Sequence, residues 1–580
     1  MRFLPQPALL SLLLTAHALC APVGEDEHEQ PSEINGMRRG WVIDTQDREA
    51  VRLFWRVRYR AAPPSGFWNG NLQDCNPGET LKAHREASLA RINWFRAMAG
   101  VPADVQEDPA ATRKTQAATL VVMANHRISH DIDASWRCFS DDAKEGASNS
   151  LLGMGANGPE AVTNFMRDDG PENAAVHHRR WLLYPQSKFI GLGDVPNADK
   201  AQDASGFTAF DGLYGSNRPH VVHDYVAWPP PGWVPYEVAF PRWSFSLPGA
   251  DFSAATVTVE LAGAPFAVQI EPPNDTAGEP SIVWRMDAAN DHLPRPVRDT
   301  SYHIIIDGVK LGSNVRRFAY DVKVFDPDAP APGKHEAIVI GPAHIGAAGA
   351  IFAVPPQPGA TGSEWRAIYL QPLPLAQGAE HGYGAFSYAG SNDYPVIQAQ
   401  VVASSKQAFR LAHTHLGDEV LALAQPIVAT AQTHLSFKSR RGVAGSDEVA
   451  NVDVLVEGRD DWETVYTQRS DGTMASAEKE FSAHQVDLSP YAGRLLQLRF
   501  RYAFANGSYF TPDDARVGWY LDDIRLDGAY RVVSMGEPTR SAGGKFEFKP
   551  ERSGEWRLQA RPLVYRAAGD WGPLAAVTVE

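Results

Sequence analysis

Two hydrophobic rhythms divide this 580-residue chain. Between about residues 80 and 185 apolar positions return every three or four residues, the period of an amphipathic helix. Beyond residue 235 they alternate, the period of a half-buried strand. Thr80 is placed to cap a first helix whose Leu81, Ser88, Ile92, Phe95 and Ala99 keep helical spacing and which Gly100 stops. Asp108-Pro109 sets a cap and an N1 proline before a second helix, 110 to about 126. Asn157 and Pro159 open a third, through Met166, and a short fourth, 178–183, ends ahead of Pro185. FIGLG (189–193) and GFTAF (206–210) read as strands. Upstream, VRLFWRVRYR (51–60) alternates apolar and polar residues and predicts a strand, with a turn at AAPPSG (61–66).

After WPPPGWVP (228–235) the texture is that of a β-sandwich. TVTVELAG, FAVQIEP, SIVWRM, YHIIIDGV and FAYDVKVF are short alternating runs separated by turn residues, and DPDAPAPG (326–333) is a linker. LSFKSR, NVDVLVEG, WETVYTQ, LLQLRFRYAF and GWYLDDIRL predict a larger sandwich. Further strands flank it: AIVIGPA and WRAIYLQP before, FEFKP, EWRLQARP and AAVTVE after. The flanks form either one sandwich split by the larger one or a simple series of modules.

At roughly 150 residues per domain, this length predicts three or four domains. They divide as a signal peptide at 1–21, an N-terminal segment at 22–65, a mostly helical domain at 66–225, a sandwich at 226–330 and a β-rich region at 331–580 whose larger module spans about 376–528. Arg2, the apolar run LLSLLL (9–14) and Ala16-His17-Ala18 are the parts of a cleavable signal peptide, which predicts a secreted or periplasmic protein. Cys20 lacks a lipobox, because His17 and Leu19 stand where an aliphatic and a small residue belong. No later run is long and apolar enough to predict a transmembrane segment. The formal charge of −15 argues against a nucleic-acid partner. Cys75 and Cys138 remain after cleavage, and an even pair in an exported chain predicts one disulfide, the alternative being two buried thiols.

The most informative stretch is 91–195: RINWFRAMAG, NHRISH, then HHRRWLLYPQSKFIGLG. This order of parts resembles the CAP superfamily (cysteine-rich secretory proteins, antigen 5 and pathogenesis-related proteins) in its bacterial exported style. The resemblance implies an α/β/α sandwich with one cleft built around two histidines and two carboxylates. The segment VGWYLDDIRL, after SPYAGRLLQLRFRY, resembles jelly-roll modules of secreted peptidases and MAM-type adhesion domains. The fold class expected is therefore multidomain α+β: an α/β/α CAP sandwich followed by immunoglobulin-like and jelly-roll β-sandwiches.

Carried over residue by residue, the resemblance puts His130 and His178 in the cleft. It puts Ser148 at the first acid position, within GASN, with Glu145 three residues earlier as a substitute if the loop shifts. Asp168 or Asp169 is the candidate for the second. Two facing imidazoles have three uses. They can ligate Zn²⁺, with His126 or His177 able to join. One can be the general base of a hydrolase, although Ser129 and Ser148 stand in no G-x-S-x-G elbow and no H-E-x-x-H occurs. Or both can be hydrogen-bonded core groups. Arg179-Arg180-Trp181 is either an anion or carbohydrate contact or an ion pair to Asp168 or Asp169 beside a core tryptophan. In the jelly-roll segment Asp522 and Asp523, with Asp447, Glu448, Asp513 and Asp514 near in the pattern, are candidate Ca²⁺ ligands or a solvated acidic rim. Trp462, Trp519 and Tyr520 are candidates for stacking on sugar rings or for core.

These features predict a binding or adhesion protein with a two-histidine cleft and β-sandwich attachment modules. Its partner would be a cell-surface polysaccharide, a lipid or a protein ligand. The alternatives are a secreted hydrolase of peptides or cell-wall polymer with β-sandwich targeting modules, and an adhesive protein with a vestigial cleft.

Overall fold

The computed structural model describes residues 40–61, 68–197, 203–209, 214–272, 277–286, 293–329, 336–404, 406–459 and 461–580. The expected signal peptide and Cys20 lie outside the described residues. The chain is a multidomain α+β protein, helical in its first third and β-sandwich-rich thereafter.

Residues 51–60 are not the strand their alternation predicts. They belong to α1 (Arg48–Phe54), which continues as a π-helical stretch, Trp55–Tyr59. Asp47 caps it by accepting from Glu49 N and Ala50 N. Ala50, Val51, Phe54, Trp55 and Val57 are buried on one side, and the arginines between them reach outward to other units. Arg48 meets Asp299 at 2.9 Å, Arg60 meets Asp328 at 2.6 Å, Arg56 meets Asp570 at 2.6 Å, and Arg58 Nε donates to Val564 O at 2.9 Å. Local alternation was a poor guide because both kinds of side chain find partners in distant elements.

The mostly helical region is layered around a three-stranded antiparallel sheet in the order Ser150–Met154, Ala204–Thr208, Leu192–Val195. On one face lie α3 (Pro109–Asn125) and α4 (Asp141–Asn149); on the other lies α5 (Gly158–Arg167), packed on α2 (Lys82–Met98). Asp108 caps α3 through Ala110 N and Ala111 N, as its sequence predicts. Thr80 does not cap α2; Leu81 holds that position without a side-chain bond. The helix α4, capped by Ser140, has no counterpart in the sequence reading, since its apolar content is slight. Glycines let the layers close. A Cβ on Gly193 would come within 2.7 Å of Thr119 Oγ1 and 2.8 Å of Gln116 N, while one on Gly153 would meet the Phe165 ring at 2.9 Å on the opposite face.

The "NWFR" run of α2 ties loops to the scaffold. Asn93 exchanges two hydrogen bonds with the backbone of Val105, both 2.9 Å. Arg96 is fully buried and donates to the carbonyls of Pro102, Leu182, Tyr184, Pro185 and Ser187 at 2.7–3.4 Å. It thereby fixes the end of α6 (His177–Leu182) and the connection to the strand Phe189–Ile190.

Residues 226–325 form a two-sheet sandwich. One sheet orders Ala264–Phe266, Thr256–Leu261, Thr300–Leu311, Asn314–Phe325 and Gly232–Pro235; the other orders Val268–Ile270, Ser281–Met286, Arg242–Ser246 and Val226–Trp228. Trp243, Phe245, Trp284, Tyr302, Phe318 and Tyr320 fill the space between. The same hydrophobic cluster runs on without a break into α1, α2, α5 and α6, so the two units share one core.

The C-terminal region has three further hydrophobic clusters among the described residues. One gathers residues between Leu375 and Ala529, a second gathers Ala337–Tyr369 with Phe546–Val579, and a small third joins Ile368, Leu370, Val428, Leu495 and Val532. The strand Gly362–Pro372 pairs with Gly554–Val564 and Tyr530–Met535, so the flanks close on each other around the larger module. The expected AIVIGPA strand is reduced to an isolated bridge of Ile340 with Ala353.

Candidate functional site

Helix α5 ends where Asp168 turns into the left-handed region at φ 57°, ψ 53°, and its N–H closes on Asn164 O at 2.8 Å. The chain returns through Val176, also left-handed at φ 46° and fully buried. A β-branched residue rarely takes this conformation, at a cost of order 1–3 kcal/mol. Between these two turns the buried Asp168 carboxylate meets the start of α6. Oδ1 accepts from His178 Nδ1 at 2.7 Å; Oδ2 accepts from the backbone N–H of His178 at 2.9 Å and more weakly from that of Arg179 at 3.4 Å. Phe165 packs on the imidazole at 4.8 Å. The His178 side chain keeps 21% of its exposure, and its Nε2 has no partner among the described residues.

His130 follows α3 on an exposed loop, and its Nδ1 bonds to Ala147 O, at the end of α4, at 2.8 Å. A carbonyl can only accept, so Nδ1 carries the proton and Nε2 is again left without a partner among the described residues. Both imidazoles are thus anchored through Nδ1 with Nε2 available.

Of the other expected cleft residues, Ser148 is exposed and donates to Glu145 O at 3.0 Å. Glu145 pairs with Lys114 at 2.5 Å, and Asp169 is exposed beside Arg167 at 3.5 Å. None of the three bonds to His130 or His178; the carboxylate on His178 is Asp168. Ser129 Oγ donates to Asp131 O, so neither nearby hydroxyl is held by an imidazole. No group of three or more His, Cys, Asp or Glu side chains that could hold a metal ion occurs among the described residues.

A second pair lies inside the domain. His84 Nε2 and Asp194 Oδ2 are 3.1 Å apart, each side chain only 1% exposed. Gly158 N donates to Asp194 Oδ1 at 2.9 Å. Burial pushes the Asp194 carboxyl above the ordinary aspartate range, against the pull of His84 and Gly158 N–H. Its sequence signal was modest: His84 stands four residues before Ser88 on the stripe of α2, and Asp194 closes the FIGLG strand.

The HHRR run divides its labour. Arg179 is buried and bonded chiefly to carbonyls, not to a ligand surface; burial pulls its guanidinium down to about 10 while Asp168 opposes that. Arg180 Nη2 donates to Glu279 O of the neighbouring sandwich at 2.9 Å. Cys75 and Cys138 form a disulfide that closes a loop across 63 positions and ties the chain before α2 to the loop after His130.

In the jelly-roll module Asp522 is buried and accepts from Ala403 N and Asp523 N at 2.9 and 2.8 Å. Asp523 pairs with Lys438 at 2.9 Å and accepts from Ser404 Oγ at 2.5 Å. A cation arriving there would meet an ammonium already in place. Glu448 is buried against His413 at 2.7 Å, Asp514 pairs with Arg516, and Asp447 and Asp513 are exposed. Trp519 and Tyr520 are buried and offer no face to a sugar; half-buried Trp462 lies under Arg499 at 3.9 Å.

Residues 89–209 match the family model of CAP, the cysteine-rich secretory protein family. No curated protein matches. Among solved structures, carbohydrate-binding modules of the beta-sandwich superfamily are 10% identical over 50% of this chain and 92% of theirs, with a TM-score of 0.19. A xylan-binding domain of Paenibacillus barcinonensis Xyn10C is 12% identical over 27% of this chain and 98% of its own, TM-score 0.19. The secreted serine protease VesC of Vibrio cholerae is 13% identical over 57% and 56%, TM-score 0.16. Superpositions this loose carry no argument about function. With the helix order, the layered sheet and the family match in agreement, the chain carries a CAP domain of the cysteine-rich secretory protein family, followed by a β-sandwich-rich C-terminal part.

Proposed function

We propose that this is an exported binding protein whose CAP cleft takes its ligand through His130 and His178, with the β-sandwiches attaching it to a cell surface, polysaccharide or matrix. The supporting observation is the shared anchoring of the two imidazoles: each spends Nδ1 on an acceptor and leaves Nε2 as a lone pair for a ligand hydroxyl, amide or metal ion. A protein holding both rings in one tautomer has prepaid part of the ordering cost of binding. With two imidazoles alone, a Zn²⁺ site would be open and weak. Titrating Zn²⁺ into the full chain at neutral pH, beside the His130→Ala/His178→Ala double variant, tests this. About one ion per chain, lost in the variant, supports a cleft that accepts metal. Equal uptake by both proteins removes the metal and leaves an organic ligand to be sought by the same pair of proteins.

A hydrolase is the second reading, favoured by the buried Asp168 on His178, the arrangement that orients a general base. Among the described residues no nucleophilic side chain is bonded to that imidazole, so water would serve as nucleophile. Turnover of a peptide or cell-wall polymer that survives in the double variant would eliminate this reading.

A further inference from the structure

We propose that the first β-sandwich is a working part of the CAP site: Arg242 is a positioning residue that holds Asp168, and through it the tautomer of His178. The last carbonyls of a helix have no partners within it. At the end of α5 guanidinium groups supply them. Arg179 Nε donates to Met166 O at 2.6 Å and its Nη2 to Arg167 O at 3.1 Å. The next carbonyl, that of Asp168, takes Nη1 of Arg242 at 2.7 Å, from the strand Arg242–Ser246 of the other unit. Asp168 is therefore held at both ends, its backbone by the sandwich and its carboxylate by α6.

The two arginines also fasten each other. Arg179 Nη1 donates to Arg242 O at 2.8 Å and to Ser244 Oγ at 3.3 Å, while Arg242 Nε is braced by Glu271 Oε1 at 3.2 Å. Arg242 is itself buried, so its bond to Asp168 is not diluted by water. Asp168 needs this brace because it stands in the left-handed region, which a non-glycine residue keeps only when its surroundings insist. A CAP domain without the sandwich would leave Asp168 O bare and its carboxylate free to turn from His178. The inference takes from the proposed function only that His178 faces the ligand.

The test reads the imidazole and no ligand. In the full chain labelled with ¹⁵N-histidine, two-bond H–N correlation spectra report the tautomer of each ring, with His178→Gln assigning its signal. In the wild type His178 should be the Nδ1–H form. In Arg242→Met its Nδ1–H to Nε2–H ratio should fall about tenfold, the weight of one charge-assisted hydrogen bond. His84 and His413, held by carboxylates of their own at 3.1 and 2.7 Å, should not move. Arg242→Lys, which still donates, should recover most of the change. Glu271→Gln keeps the volume and loosens only the brace; it should shift His178 the same way by less, and serves if Arg242→Met does not fold. An unchanged His178 tautomer in a folded Arg242→Met, or in Glu271→Gln when Arg242→Met is unfolded, overturns the proposal. Because no cleft ligand enters the measurement, its result stands whether or not the cleft binds Zn²⁺.

Discussion

Among the described residues, two histidine–aspartate pairs of the CAP domain share their chemistry and differ in surroundings. His84 and Asp194 are sealed between α2, α5 and the sheet, each 1% exposed. His178 and Asp168 sit where α5 gives way to α6; there the carboxylate is buried and the imidazole keeps 21% of its exposure. In the sealed pair Nε2 meets the acid, whereas in the open pair Nδ1 does, leaving Nε2 for a partner from outside. The contrast shows that an Asp–His contact by itself says little about activity. Which nitrogen is spent, and whether the other can be reached, separates a packing device from a candidate site.

That contrast can be broken by mutation. The largest effect is expected inside: His84→Ala or Asp194→Ala leaves a buried polar partner uncompensated and should cost about 3–5 kcal/mol in urea unfolding. A loss below about 1 kcal/mol would mean that the pair contributes no more than a surface contact. Removing the disulfide with Cys75→Ser/Cys138→Ser should cost about 2–4 kcal/mol, and reduction of the wild type should reproduce it. The same change should loosen the loop of His130 and leave the His178 signals alone. Gly193→Ala drives a methyl against Thr119 and Gln116, and should cost about 1–3 kcal/mol through the α3–sheet contact. His178→Ala should be the mildest of the histidine changes, about 1–2 kcal/mol, because it strips Asp168 Oδ1 of its partner while Oδ2 keeps its backbone donors, yet it should abolish whatever the cleft binds. A His178→Ala protein as unstable as His84→Ala would erase the distinction between the two pairs.

Much of the architecture was legible along the chain. Asp108-Pro109 announced α3, and the stripe Ser88, Ile92, Phe95 announced α2. Alternation announced most strands after residue 240, such as Ser281–Met286 and Leu495–Ala503. Where one face of an element meets the core and the other meets water, the side chains record the period. Besides the cap at Thr80 and the strand at AIVIGPA, the record failed most instructively in three places. Residues 51–60 lie between units, so their outward arginines reach acids and carbonyls of other elements while their aromatics are buried, and period two emerged from a helix. Helix α4 carries few apolar residues and rests on α3 through Ala143, Gly146 and Ala147. Arg179 and Arg180 read as an anion contact or a local ion pair; their bonds run largely to backbone carbonyls, which leave no mark in the sequence.

The sequence by itself determined most of the local elements and the cysteine pair, because periodicity, capping and composition act within a few residues of one another, while the two histidines stood out only through the resemblance to CAP proteins. Only the tertiary structure decided that Asp168, and not Asp169, holds His178, since a left-handed turn at Asp168 sends neighbouring acids in different directions. It also decided that His84 finds Asp194 across 110 positions and that the CAP domain and first sandwich share one core. The same holds for the C-terminal flanks, which close around the module between them. These outcomes depend on which carbonyl, carboxylate or apolar face is left unsatisfied when distant segments meet, and burial makes leaving one unsatisfied costly.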